Sequence, residues 1–207
     1  MVDVHKLTAA ERDALREVAN IGAGHAATAL SQMTGGRIMI TVPEVSLRPL
    51  EDVAGLVGPA DSVIAGVLMH VMGDFTGRTL VVWSDASARA LCSLLLRRPP
   101  AAASGFDAMQ QSTIKETGNI LCSAYLNALS DFLGMMLLPS VPALVVDLAG
   151  AVLTTASLNF SSERDTVFCV ETTFRIEGSD DVLTGQFLLL PDAPSLGAIF
   201  DAIRLAS

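Results

Sequence analysis

The sequence predicts an α+β body with approximate internal two-fold symmetry, and three observations carry that expectation. Glu17 and Asn20, followed by Pro43, return as Glu116 and Asn119, followed by Pro142, with 99 residues between matching positions. At roughly one-in-twenty usage per residue type, three matches at fixed spacing arise by chance about once in several thousand starting positions. The tails of the two halves also match: Gly77 to Asp85 aligns with Gly185 to Asp192, each a strand-like run entering an apolar helical stretch. Finally, the order of patterns is the same in both halves, namely helix, strand, hairpin, helix. A period near 99 residues is too long for a solenoid repeat and points to two fused half-domains. They form a single domain of two repeats, about residues 8–98 and 104–205, with residues 97–104 as a connector rich in proline and small residues.

The elements follow from local signals. Thr8 and Glu11 form a capping-box signature, and Gly35-Gly36 closes the segment after it, so a first helix is predicted over about 9–33. Ser104 to Asp107 offers a second start and Gly134 a stop, which predicts a helix over about 106–133. Residues 37–42 and 144–148 are β-branched runs and read as strands. Residues 63–72 and 166–176 are apolar or alternating, bounded by Gly-Asp and Glu-Gly turns, and suggest hairpins.

Composition narrows the function classes. A chain of 207 residues with 51% hydrophobic residues can bury a real core. Its most apolar stretch, 132–155, contains Pro139, Pro142 and Asp147 and does not read as a membrane span. Residues 1–6 show no basic segment leading into an apolar run, so a cytoplasmic protein without membrane insertion is expected. The net charge of −9 argues against nucleic acid or an anionic lipid surface as main partner. Cys92, Cys122 and Cys169 sit in apolar surroundings, and His5, His25 and His70 are far apart, so the thiols read as buried small hydrophobes and no metal site is expected. Met135-Met136 reads as core.

On a helix, positions 13, 17 and 20 fall within about 60° of one another. Asp13, Glu17 and Asn20 therefore form one polar stripe, matched by Ser112, Glu116 and Asn119. Leu7, Leu15, Val18 and Ala29 on the first helix, and Ile114, Leu121, Leu126 and Leu129 on the second, would hold the opposite face to the body. A lone Glu and Asn three apart is an ordinary solvated face. Two copies in register, at a helix position where Asn costs a few tenths of a kcal/mol, imply a specific contact. Without a metal, histidine or nucleophile, an amide can still position a water for in-line attack, and a carboxylate can hold a lysine of the molecule carrying the leaving group. That chemistry suits a labile phosphoryl group whose magnesium belongs to the substrate protein. Gly22, Gly24 and Gly118 in these helices admit two readings: close approach of a partner backbone, or close packing on the chain's own body.

The pattern Asp/Ser-x-x-x-Glu-x-x-Asn, then twenty-two residues and a proline, resembles the signature of the CheC/CheX/FliY phosphatases of chemotaxis. Phrases such as Ala19-Asn-Ile-Gly-Ala-Gly24 and Leu138-Pro-Ser-Val-Pro142 are similar to the CheC branch. Two complete motifs, with no appended flagellar-switch domain expected, favour the CheC branch over FliY, and the tandem copy separates the sequence from CheX, which carries one motif and dimerises. The resemblance implies a mainly antiparallel sheet packed with helices, with the two motif-bearing helices exposed. It implies hydrolysis of the aspartyl phosphate on the response regulator CheY, with Asn20 or Asn119 orienting water and Glu17 or Glu116 pairing with the regulator's lysine. Asp13 and Ser112 would support the face, while Pro43 and Pro142 would shape the turn from helix to strand. No cofactor would be bound by this chain, magnesium being expected on the regulator. The deamidase CheD is a further partner that the resemblance supplies. A second reading, from a different class, is a non-catalytic adaptor that binds CheD or the phosphorylated regulator and acts by sequestration.

Overall fold

The same succession of elements occurs twice. In chain order these are α1 (Ala9–Thr34), β1 (Ile38–Thr41), β2 (Val45–Pro49), α2 (Leu50–Val57), β3 (Val63–Gly73), β4 (Gly77–Ser84) and α3 (Asp85–Leu96). Then follow α4 (Ala108–Leu133), β5 (Leu137–Pro139), β6 (Ala143–Leu148), α5 (Ala149–Ser157), β7 (Thr166–Ile176), β8 (Val182–Pro191) and α6 (Ala193–Ala206). The computed structural model describes residues 8–42, 44–98, 105–157, 166–176 and 182–206. Pro43, residues 99–104 of the connector, His5 and Leu7 lie outside the described residues.

Both long helices are fixed by local chemistry in the same register. Thr8 Oγ1 accepts from the Glu11 amide at 3.2 Å while the Glu11 carboxylate accepts from the Thr8 amide, completing a capping box. At the equivalent place Asp107 Oδ1 accepts from the Gln110 amide at 2.8 Å and Gln110 Oε1 accepts from the Asp107 amide at 2.9 Å. The second cap is therefore Asp107 itself. Gly35 and Gly134 end the helices at φ 66° and 64°, a left-handed geometry that glycine reaches without steric cost.

The sheet is antiparallel throughout, in the order β1-β7-β8-β4-β3-β5, with β2 also on β7 and β6 also on β3. The repeats exchange strands. β1 and β2 of the first repeat lie along β7 of the second, and β5 and β6 of the second lie along β3 of the first. Neither half is a self-contained unit, because the edge of each long hairpin is completed by the other repeat. Leu80 stands opposite Leu188, its own counterpart in the duplication, so the pseudo-two-fold axis passes through the central β4–β8 pair.

Strand alternation divides the core into two layers. Ala65, Val67, Val81, Trp83, Val170 and Phe187 face α1, α3 and α4 in the larger cluster. Ile64, Leu80, Val82, Val167, Cys169, Leu188 and Leu190 face the other way, joining Val53 of α2 with Val152 and Ala156 of α5. The short helices α2 and α5 and the strands β2 and β5 were not expected from sequence. Residues 144–148 form β6, the counterpart of β2 rather than of β1. Met136, read as core, is 52% exposed because it lies just outside β5 at the sheet edge, whereas Met135 packs against the core.

Close packing explains two of the three glycines within α1 and α4. A Cβ at Gly22 would stand 2.5 Å from Cδ1 and 3.0 Å from Cα of Tyr125, so α1 and α4 touch there with almost no side-chain gap. A Cβ at Gly118 would stand 2.6–2.8 Å from all three side-chain carbons of Val67, seating α4 directly on β3. Gly24 faces open space.

These positions separate helix propensity from packing. Gly24→Ala should stabilise the protein by up to about 1 kcal/mol through propensity alone. Gly118→Ala gains the same propensity but overpacks Val67, and should destabilise by about 1–3 kcal/mol. Urea denaturation midpoints with unchanged slope check both, and equal shifts of the same sign would contradict the packing account. The three cysteines are buried, and burial pushes the Cys92 thiol up to about 11 and those of Cys122 and Cys169 up to about 12. Ellman's reagent at pH 8 should therefore find no reactive thiol in the folded chain and three after denaturation.

Candidate functional site

The helices that bury Leu15 and Val18, or Ile114 and Leu121, turn their opposite faces to solvent. On α1 the side chains of Asp13, Glu17 and Asn20 are all exposed. On α4 Ser112 and Glu116 are exposed and Asn119 is half-buried. Both predicted stripes therefore exist, at equivalent places on two helices that pack against each other. Among the described residues, no hydrogen bond or ion pair engages the side chains of these six positions. A carboxylate and an amide one helical turn apart are left with their full donor and acceptor capacity directed outward.

The α1 face is a shallow, open groove of about 580 Å³ lined by Ala10, Asp13, Ala14, Arg16, Glu17 and Asn20. Its floor is small because positions 10 and 14 are alanine. The equivalent positions on α4 are Met109, which is 53% exposed, and Thr113, whose hydroxyl donates to the Met109 carbonyl at 2.9 Å. The two faces share their acid and amide but differ in their surroundings.

Arg16 was not singled out by sequence reasoning, yet the signal was available. It precedes Glu17 as Lys115 precedes Glu116, at the same 99-residue offset as the rest of the motif. Both cations are exposed, and neither forms an ion pair among the described residues.

Pro142 does not lie at the turn from helix to strand. It is half-buried at the joint between β5 and β6, one strand further along. There the Ser140 amide donates to the His70 carbonyl at 2.8 Å and the His70 amide donates to Ser140 Oγ at 3.0 Å, pinning the joint to β3. Pro142 is thus part of the sheet edge, two residues before Leu144, which pairs with Val67, the residue that meets Gly118 of α4. His25 is exposed on α1 and has no assigned role. No group of three His, Cys, Asp or Glu among the described residues could hold a metal ion, and no helix there is long and apolar enough to cross a membrane.

Comparison with known proteins agrees with this geometry. A model of the CheC-like family matches residues 11–47 and 109–146, once in each repeat and across both polar stripes. The FliY crystal structure from Thermotoga maritima superposes with a TM-score of 0.78 at 21% identity, covering 97% of this chain and 99% of that one. The FliM middle domain from Helicobacter pylori has a TM-score of 0.67 at 11% identity, over 95% of this chain and 99% of that one. These two likenesses are of fold. In sequence, the chain is 32% identical over 195 residues to the CheY-P phosphatase CheC of Bacillus subtilis strain 168, covering 93% of each protein. With that identity sustained over nearly its whole length and the family pattern present twice, the chain belongs to the CheC-like family.

Proposed function

We propose that this protein is a phosphatase for the aspartyl phosphate of a CheY-type response regulator, working through two faces, Glu17/Asn20 and Glu116/Asn119. The observation that carries the reading is the duplicated and unpartnered Glu/Asn pair, exposed on α1 and with Glu116 exposed and Asn119 half-buried on α4. The similarity to the B. subtilis CheY-P phosphatase CheC supports it.

In this reading the helix face supplies only what the partner lacks. The regulator brings the phosphoaspartate, its magnesium and a lysine. The Glu carboxylate accepts a charge-assisted hydrogen bond from that lysine and fixes the docking angle. The Asn, one turn further along the same face, accepts from and donates to a water and holds it in line with the bond to be broken. Water oxygen attacks phosphorus, the bond from phosphorus to the aspartyl oxygen breaks, and the products are inorganic phosphate and a free aspartate carboxylate. The amide needs no titration for this role, because its contribution is orientation. Asp13 and Ser112 flank the Glu on the groove side and would hydrate or orient it rather than react.

Replacing Asn20 and Asn119 together by Ala should return the decay of phosphorylated CheY to the regulator's unassisted rate, a loss on the order of 10²-fold or more in assisted turnover. Circular dichroism should stay unchanged and the unfolding midpoint should not fall, since both side chains are unpartnered and Ala is the better helix former. The assay uses the protein well below the regulator's concentration. A double variant that clears phosphate at the wild-type rate, or a wild type that only binds the phosphorylated regulator stoichiometrically, sinks the proposal.

A further inference from the structure

We infer that Arg16 and Lys115 are docking cations that capture an acidic surface beside the phosphorylated aspartate of the partner. This inference rests on the phosphatase reading above.

The positions are set by helix geometry. Arg16 lies four residues before Asn20, and Lys115 four before Asn119, so each cation is a neighbour of the amide, about 6 Å away along the axis. The Glu lies three residues before the Asn, toward the other side. In both copies the amide is therefore flanked by an anion on one hand and a cation on the other. Lys and Arg occupy 13 of 207 positions, and the chain holds two lysines, of which Lys115 is one. A cation at this place twice is not a consequence of composition. Arg12, also exposed on α1, is matched by the neutral Gln111, so on these two helices lysine or arginine is repeated only where it borders the amide.

The cations are also unspent. Arg16 lines the same groove as Asp13, three residues away, yet makes no ion pair with it. Two roles remain for such a charge: stabilising the phosphoryl oxygens in the transition state, or attracting and holding the partner. Residue identity decides between them. The acid and the amide are the same residue in both copies, whereas the cation is Arg in one and Lys in the other. Guanidinium and ammonium differ in shape and donor geometry, so their interchange favours a contact that reads charge over one that needs a fixed bidentate fork. A charge–charge contact at the rim accepts either. It also meets a need of this chain, whose net charge of −9 repels an acidic partner at long range. A local positive charge beside the amide offsets that repulsion where docking occurs.

Each face can be tested alone. In an Asn119→Ala chain, where α1 is the remaining face, Arg16→Ala should raise KM for phosphorylated CheY about threefold to tenfold at low salt and leave kcat within about twofold. The difference should shrink below about twofold at 0.5 M NaCl, where charges are screened within a few ångströms. Arg16→Lys should retain the parental KM, and Arg16→Glu should raise it further than Arg16→Ala. Lys115→Ala and Lys115→Arg in an Asn20→Ala chain repeat the test on α4. A fall in kcat at unchanged KM, a salt-independent effect, or an Arg16→Lys variant as impaired as Arg16→Ala would each overturn the docking role. If neither parental chain speeds phosphate loss, the phosphatase reading fails instead. Binding of beryllofluoride-loaded CheY to the wild type and to the Arg16→Ala/Lys115→Ala variant then judges the cations separately, with equal affinities at low salt overturning the inference.

Discussion

The contact between α1 and α4 at Gly22 and Tyr125 is the constraint on which the rest depends. Tyr125 lies under Gly22 of the other repeat with its Cα at a distance that leaves no room for a methyl group. Its ring is tilted against Phe187 of β8, with centroids 4.8 Å apart. Its hydroxyl and that of Thr172 on β7 share a buried hydrogen bond of 2.9 Å. One side chain thus ties both motif helices and the sheet together. Burial pushes the phenol up to about 12, so this tie stays protonated and intact at any physiological pH.

The second fastening is Gly118 against Val67, which brings the α4 backbone down onto β3. Glycine weakens a helix by roughly 1 kcal/mol relative to alanine, so two glycines in the motif helices are tolerated only where approach requires them. Their effect on the site is indirect. By holding the buried faces at fixed depth, they fix the rotation of each helix and hence the direction in which the opposite stripe points. The polar side chains themselves contribute nothing to stability that the structure reveals, since none is engaged by the body.

The strand exchange gives the duplication a physical meaning. A long hairpin such as β3–β4 presents unpaired edge groups that would invite aggregation. In this fold the edge of β3 is covered by β5 and β6 from the other repeat, and that of β7 by β1 and β2. Each repeat completes the other, which is why the two halves form one sheet rather than two neighbouring bodies. The site inherits this coupling: the helix carrying one motif leads directly into strands that belong, by hydrogen bonding, to the other half.

Sequence alone determined what is local or periodic. The boundaries of α1 and α4 to within about two residues, the capping box of α1, the burial of Leu15, Val18, Ile114 and Leu121, and the exposure of Glu17, Asn20 and Glu116 all follow from capping chemistry and the 3.6-residue period, whereas α4 is capped by Asp107 with Gln110 rather than from Ser104. The duplication was legible because three residues recurred at one spacing. The same spacing contained Arg16 and Lys115, which went unread because a lone cation on an exposed helix carries no pattern until its repeat is compared. Tertiary structure decided the rest. Short elements such as β2, β5, α2 and α5 have too few residues to show a period. Strand partnership across the repeats is set by contacts more than about 60 residues apart, which no local pattern encodes. Whether a glycine serves packing or a partner depends on what stands opposite it. Gly22 and Gly118 face Tyr125 and Val67, Gly24 faces solvent, and in the sequence the three are alike.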